Sequence, residues 1–225
     1  MQEPKLLLAI DTCGPTGTVA LGRWDGASVE ILGQIELEGR GYSSTLVPAV
    51  AELLTQAGTR LAQLDAIVAV NGPGSFTGVR DGLSAVKGLA ESPAISVVAV
   101  SRLEVLAAKA KVPAAALDAH RHEVFLRIRE ADGQGRELLA GAAELAALSA
   151  PARVALCDEA AAELLAASWP QVELIRTDPP TAADALQLAA PRVAAGEFTD
   201  LELLDGHYLR RSDAEIFGDP ATPRP

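Results

Sequence analysis

The stretch LLLAIDTCGPTGTVALGR, residues 6–23, has an echo in the second half of the chain, AAALDAHRHEVFLRIRE, residues 114–130. Each opens with an apolar run that ends in an aspartate, Asp11 in the first and Asp118 in the second. A short turn follows, then a run in which apolar and polar residues alternate, the period of a strand with one buried face. Two strand–turn–strand openings of one design predict a chain built from two related units.

The intervening sequence completes the first unit. Strands are expected over 5–11, 17–24 and 28–36, separated by glycine-containing turns; in the third, Val29, Ile31, Gly33 and Ile35 share one side. In SSTLVPAVAELLTQAG, residues 43–58, the apolar residues Leu46, Val47, Val50, Leu53, Leu54 and Ala57 recur at helical steps. Ser43, Ser44 or Thr45 can cap that helix, Pro48 is tolerable in its first turn, and Gly58 stops it. An apolar strand over 64–70, a helix over 78–91, a second apolar strand over 94–100 and a helix over 102–110 follow. Meandering strands followed by alternating strand and helix predict a mixed sheet covered by helices, an α/β fold. In the second half a third strand is expected after the DGQG turn at 132–135, with helix and strand alternating through 144–195. We therefore expect an N-terminal lobe over 1–110, a smaller second lobe over 111–216, and a disordered tail, FGDPATPRP, over 217–225.

Composition limits the partners. The chain has 225 residues and a net charge of −11, with no run of basic residues to offset it, so tight nucleic-acid binding by this chain alone is not expected. It contains no tract of about 18 uncharged apolar residues, so no membrane span is expected. MQEPKLLLAIDT reads as a first strand, not a signal peptide. Two distant cysteines, Cys13 and Cys157, suggest a reducing, cytoplasmic setting and buried packing, with neither a metal knuckle nor a disulfide frame.

The stretch VNGPGSFTGVRDGLSAVKGLA, residues 70–90, invites a phosphate-loop reading and fails it. A Walker A loop needs Gly-Lys-Ser/Thr at its end, and here Gly78 precedes Val79 and Arg80. A dinucleotide fingerprint needs its third glycine where Thr77 stands, and no acidic ribose partner follows the next strand at the right distance. What remains is a tight turn at Gly72-Pro73-Gly74 and a cap from Ser75 or Thr77, whose neighbouring N–H groups can hold an anion. The helix carries Gly78, Gly82 and Gly88, each costing up to about 1 kcal/mol relative to alanine. Close backbone approach must offset that cost, either within the fold or at another subunit. Val79, Leu83, Val86 and Leu89 flank the notches.

GPGSFTGVRDGLSAVKGLA resembles the signature of the TsaB (YeaZ) family of bacterial tRNA threonylcarbamoyladenosine biosynthesis proteins. LLLAIDTCGPTGTVAL, LVPAVAELL, VVAVSRLEVLA, ALDAHRHEVF and HYLRR support the resemblance along most of the chain. It implies an actin-like, Hsp70-like (ribonuclease H-like) fold of two related lobes. In active members of that superfamily, acidic residues at the two hairpins handle magnesium and phosphates, and Asp11 and Asp118 match those places. With Gly74, Ser75 and Thr77 they are the candidate anion or nucleotide contacts; as strand-ending aspartates, both also suit a turn or cap role.

The catalytic relative, the TsaD-type threonylcarbamoyl transferase, holds its metal on a His-x-x-x-His pair. The corresponding positions lie in VSRLEVL, where Arg102 and Leu106 stand, and neither side chain offers a lone pair to a metal. His120 and His122 lack a third ligand at sensible spacing, and His207 is isolated. The chain has neither a Gly-Gly loop nor a Gly-x-Ser-x-Gly elbow. No catalytic residue, metal or cofactor is assigned. The resemblance implies a non-catalytic partner of the transferase, with a small TsaE-type ATPase joining the complex and tRNA held mainly by the other subunits. The expected contact residues are Leu46, Val50, Leu53 and Leu54 on the first helix and Gly78, Gly82, Leu83 and Val86 on the glycine-notched one. In isolation the same surface is expected to form a homodimer. The alternatives are a small actin-fold ATPase or sugar kinase, a glycoprotease-like hydrolase, or a self-assembling structural protein.

Overall fold

The computed structural model describes residues 3–38, 41–130 and 133–210. The expected disordered tail, 217–225, lies outside these residues, as does 211–216 at the end of the expected second lobe. The first sheet comprises β1 (Lys5–Asp11), β2 (Thr16–Trp24), β3 (Val29–Glu38), β4 (Ala66–Val70) and β5 (Ser96–Val100) in the order β3-β2-β1-β4-β5. The second comprises β6 (Ala115–Asp118), β7 (Val124–Arg129), β8 (Gly135–Ala140), β9 (Arg153–Leu156) and β10 (Glu173–Arg176) in the order β8-β7-β6-β9-β10. The two orders are the same topology. In each sheet the first two pairings are antiparallel and the next two parallel. The repeat in the sequence is thus a repeat of the whole five-stranded unit.

Residue chemistry explains the layering. LLLAI in β1 and AIVAV in β4 are continuous apolar runs, as central parallel strands covered on both faces require. Helices α1 (Tyr42–Gln56) and α2 (Phe76–Glu91) cover one face of the first sheet. In the second unit α4 (Ala142–Ala147) and α5 (Glu159–Ser168) take the equivalent places in the chain. Each unit then sends its last helix to the other. Helix α3 (Arg102–Ala110) packs Leu103, Leu106 and Ala107 against Ala115, Leu117 and Phe125 of the second sheet. Helix α6 (Ala182–Ala195), which the sequence grouped with the second lobe, lies on the first sheet, where Leu186, Ala189 and Val193 join its core. The Thr18 hydroxyl accepts a hydrogen bond from the Ala182 N–H at 2.7 Å and anchors the start of that helix. The exchange ties the lobes together through the same forces that hold each one.

Three local expectations change. Helix α1 starts from Gly41 in the left-handed region, without a side-chain cap; the Ser44 and Thr45 hydroxyls donate back to the Gly41 carbonyl. Pro48 falls in its second turn, not its first. In β3 the pairing jumps from Gly33 opposite Leu21 to Ile31 opposite Gly22, a β-bulge at Leu32. That bulge breaks the alternation, so Val29 meets the α6 side while Gly33 faces Leu53 of α1 and Ile31 is exposed.

Candidate functional site

The carboxyl ends of β1, β4, β6 and β9 meet at a cleft of about 800 Å³ between the two sheets. One wall is the β1–β2 hairpin tip with Cys13 and Gly14, the Gly74–Phe76 turn into α2, and Arg102. The other is the β6–β7 hairpin, with Asp118 and His120, and the Cys157-Asp158 turn. A strap, residues 199–210, borders it. The strap pairs Thr199 with Val97 at the edge of the first sheet, bonds the His207 N–H to the Asn71 carbonyl, and ends with Arg210 donating to the Ala119 carbonyl of the second hairpin.

Both hairpins are built alike. Asp11 Oδ1 accepts from the Cys13 N–H at 2.8 Å, and Asp118 Oδ1 accepts from the His120 N–H at 2.7 Å. Each aspartate therefore closes its own turn. Their second oxygens differ. Asp11 is 2% exposed, and its Oδ2 lies 3.2 Å from Nε of Arg102, itself 6% exposed. Burial acts against the charge on Arg102, but the charge and hydrogen bond of Asp11, joined by Cys13 and Cys157, together hold the guanidinium pKa above its ordinary value. Asp118 is only partly buried, and its Oδ2 sits 2.9 Å from Nδ1 of the exposed His120. His120, Arg121 and His122 run through three successive left-handed conformations at φ 60°, 57° and 60°, a tight solvent-facing turn. Among the described residues no group of three or more histidines, cysteines, aspartates or glutamates is arranged to hold a metal ion.

The glycines of α2 admit the first hairpin. A Cβ on Gly78 would overlap the Thr12 carbonyl oxygen, one on Gly82 the Thr12 hydroxyl, and one on Gly74 the Cys13 carbonyl oxygen. In the space they leave, Thr12 Oγ1 donates to the Gly78 carbonyl at 2.6 Å and the Ser75 N–H donates to the Cys13 carbonyl at 2.8 Å. Ser75 is the cap, accepting from the Gly78 N–H at 3.2 Å, while Thr77 is exposed and Gly74 and Ser75 open on the cleft. Tyr42, at the start of α1, closes the hairpin from the other side by donating to the Gly14 carbonyl at 2.9 Å. Burial, then the Asp11 charge, pushes its phenol up to about 12. Cys13 is sealed in the same corner, its thiol donating to the Val70 carbonyl, and burial followed by the Asp11 charge raises it well above the ordinary thiol value. Burial also raises Cys157.

The expected interface residues lie inside the chain. Leu46, Val50, Leu53 and Leu54 of α1 and Gly78, Gly82, Leu83 and Val86 of α2 are all buried in the first core. The two helices spend those residues on the sheet and on each other, and present outward a different set: Val47, Pro48 and Ala51 on α1, Ser84 and Gly88 on α2. Gly88 differs from the other helix glycines, because nothing lies within 4 Å of the Cβ it lacks. Leu106, at the second metal-ligand position, is fully buried in the α3 core.

Sequence reasoning missed Thr12, Tyr42 and the use to which Arg102 is put. Arg102 is the first residue after the cap Ser101, where a cation opposes the helix dipole, so an arginine there asks for an acid nearby. His207, isolated in sequence, reaches Oε2 of Glu137 at 2.9 Å; Glu137 also accepts from Ser101 Oγ at 2.6 Å and Arg127 Nη1 at 2.7 Å. Burial alone would raise the Glu137 carboxyl, but these donors, His207 foremost, overcome it and lower it.

The comparisons agree with this architecture. The family model for TsaD, tRNA N6-adenosine threonylcarbamoyltransferase, matches residues 33–174, more than half of the chain. YeaZ from Pseudomonas aeruginosa superimposes with a TM-score of 0.73 at 30% identity, covering 91% of this chain and all of that one. The chain belongs to the TsaB/YeaZ family. Two curated TsaB relatives, each named a tRNA threonylcarbamoyladenosine biosynthesis protein, are those of Escherichia coli K12 and Bacillus subtilis 168. They are 36% identical over 135 residues and 37% identical over 123 residues. Those matches cover 57% and 53% of this chain, and 57% and 52% of the relatives, so the chain spans little more than half the length of the curated TsaB proteins it matches. Beyond the TsaB/YeaZ proteins, component A of (R)-2-hydroxyglutaryl-CoA dehydratase from Acidaminococcus fermentans shares the fold, with a TM-score of 0.51 at 12% identity. The actin-like, ribonuclease H-like fold of two related units is thus the fold of this TsaB/YeaZ chain. No helix among the described residues is long and apolar enough to cross a membrane.

Proposed function

We propose that this chain is the non-catalytic partner of a TsaD-type threonylcarbamoyl transferase, and that it acts in forming threonylcarbamoyladenosine next to the anticodon of tRNAs reading codons that begin with A. The observation that carries this reading is the buried Asp11–Arg102 pair. In the active superfamily the first-hairpin carboxylate handles magnesium and phosphate; here its free oxygen faces a guanidinium at 3.2 Å, supplied by the residue that replaces a metal ligand. A carboxylate satisfied from within the chain is a poor seat for a divalent cation.

The contribution of the chain is then a surface. We assign it to the outward side of α1 and α2, with Val47, Pro48, Ala51, Ser84 and Gly88 at its centre. A glycine inside a helix costs about 1 kcal/mol, and Gly88 gains nothing for it within the chain; a second backbone lying against it supplies the reason. A second copy closes on this face when the transferase is absent, a TsaE-type ATPase joins through the complex, and tRNA is held mainly by the other subunits in the cytoplasm.

Co-purification with a TsaD-type transferase tests the assignment. Wild type is expected to pair, and Gly88→Arg and Ser84→Arg to lose pairing while keeping the wild-type circular dichroism spectrum. Pairing that survives both substitutions would remove α1 and α2 from the interface.

A further inference from the structure

Arg102 has more donors than the fold uses. Its backbone N–H bonds to the Gly72 carbonyl and its Nε to Asp11, yet neither Nη1 nor Nη2 has an acceptor among the described residues. An arginine carries five side-chain N–H groups, and buried ones are seldom left unpaired. Here they are not sealed in: only Trp24 Nε1 among the described side-chain atoms is closed off without a partner, and Arg102 lines the cleft. A side chain more than nine-tenths buried therefore aims two unpaired amino groups into a space of about 800 Å³. The positive end of α2, at Ser75 and Phe76, borders the same wall.

We propose that the cleft binds a small monocarboxylic acid with an apolar body, its carboxylate held by Nη1 and Nη2 of Arg102. Two parallel N–H donors match the two oxygens of a carboxylate. The charge balance selects one negative charge over several. Asp11 already neutralises Arg102 and Glu123 pairs Arg210, while Asp118 and Asp158 on the opposite wall outnumber Arg121, so the cleft offers a polyphosphate no net positive charge where a single carboxylate meets mainly hydrogen-bond donors. The volume far exceeds a carboxylate and suits a drug-sized molecule. Leu117 and Phe125 from the second sheet and Tyr208 from the strap supply apolar surface for its body.

Calorimetric titration of the full chain with benzoate, benzamide and inorganic phosphate is the test. Benzoate should bind saturably with a Kd on the order of 1 mM or tighter. Benzamide, which lacks the charge, and phosphate, which lacks the ring, should bind at least about tenfold more weakly. Asp11→Asn/Arg102→Met, which leaves no unpaired buried charge, should weaken benzoate at least about tenfold. Tyr208→Ala, at a partly exposed position, should weaken it several-fold while leaving Arg102 in place. Absence of saturable benzoate binding, equal or tighter binding of phosphate or benzamide, or benzoate affinity unchanged in either variant would overturn the proposal.

Discussion

The two hairpins of this molecule share a backbone plan and have opposite surroundings. Asp11 and Asp118 each end the first strand of their sheet and each accept from the N–H two residues on. Asp11 is then covered: Gly78 and Gly82 of α2 and Gly74 in the turn before it press against the hairpin, Tyr42 locks Gly14, and Arg102 takes the remaining oxygen. Asp118 keeps an open side, and its turn passes through three left-handed residues that contact solvent. A duplicated fold thus holds one hairpin closed and one open. The closed one is a structural device.

The largest effect should come from removing the cation of the closed hairpin. Arg102→Met leaves Asp11 buried without a counter-charge, which costs about 3–5 kcal/mol; adding Asp11→Asn should restore much of the loss, measured by urea unfolding. If the single variant unfolds like wild type, the pair is not what closes this hairpin. A smaller effect is expected at the glycines. Gly82→Ala sets a methyl group on Thr12 and should destabilise by about 1–3 kcal/mol. Gly88→Ala, with open space around it, should stabilise the isolated chain by about 0.5–1 kcal/mol. Effects of the same sign at both positions would contradict the distinction drawn between them.

The contact between lobes should show in acid. The lowered Glu137 carboxyl contributes stability that is complete above the ordinary glutamate value of 4.5 and is lost as pH falls through its depressed folded value. Thermal unfolding followed below pH 4.5 should therefore show a steeper decline in wild type than in Glu137→Gln. The smallest effect belongs to the open hairpin. His122→Gly relieves one left-handed residue and should raise stability by about 1 kcal/mol, without disturbing the first hairpin.

Much of the fold was legible because the signals were local. The apolar runs of β1 and β4, the helical period of LVPAVAELL and the recurrence of strand–turn–strand around Asp11 and Asp118 each carry their own structure. The bulge at Leu32 was not legible, since it depends on pairing with Leu21 and Gly22. Nor was the exchange of α3 and α6, because an amphipathic helix states that it has an apolar face without stating which sheet will cover it. The site was read in part. Asp11 and Asp118 close their turns and Ser75 caps α2, the turn and cap roles their types suggest, but Leu46, Val50, Leu53, Leu54, Leu83 and Val86, expected at a partner interface, are core. The glycine stripe had two possible neighbours, a subunit or the chain itself. Only Thr12, four residues from the start of the next strand, decides between them, and it does so differently for Gly82 and Gly88.

Calorimetric titration of the purified chain with magnesium-ATP, followed by assay for ADP, tests the central claim most directly. With Asp11 satisfied by Arg102, neither saturable magnesium-ATP binding nor turnover is expected from this chain alone. Stoichiometric binding accompanied by ADP release would mean that the first hairpin gives up its guanidinium to a metal, and that the chain is an enzyme.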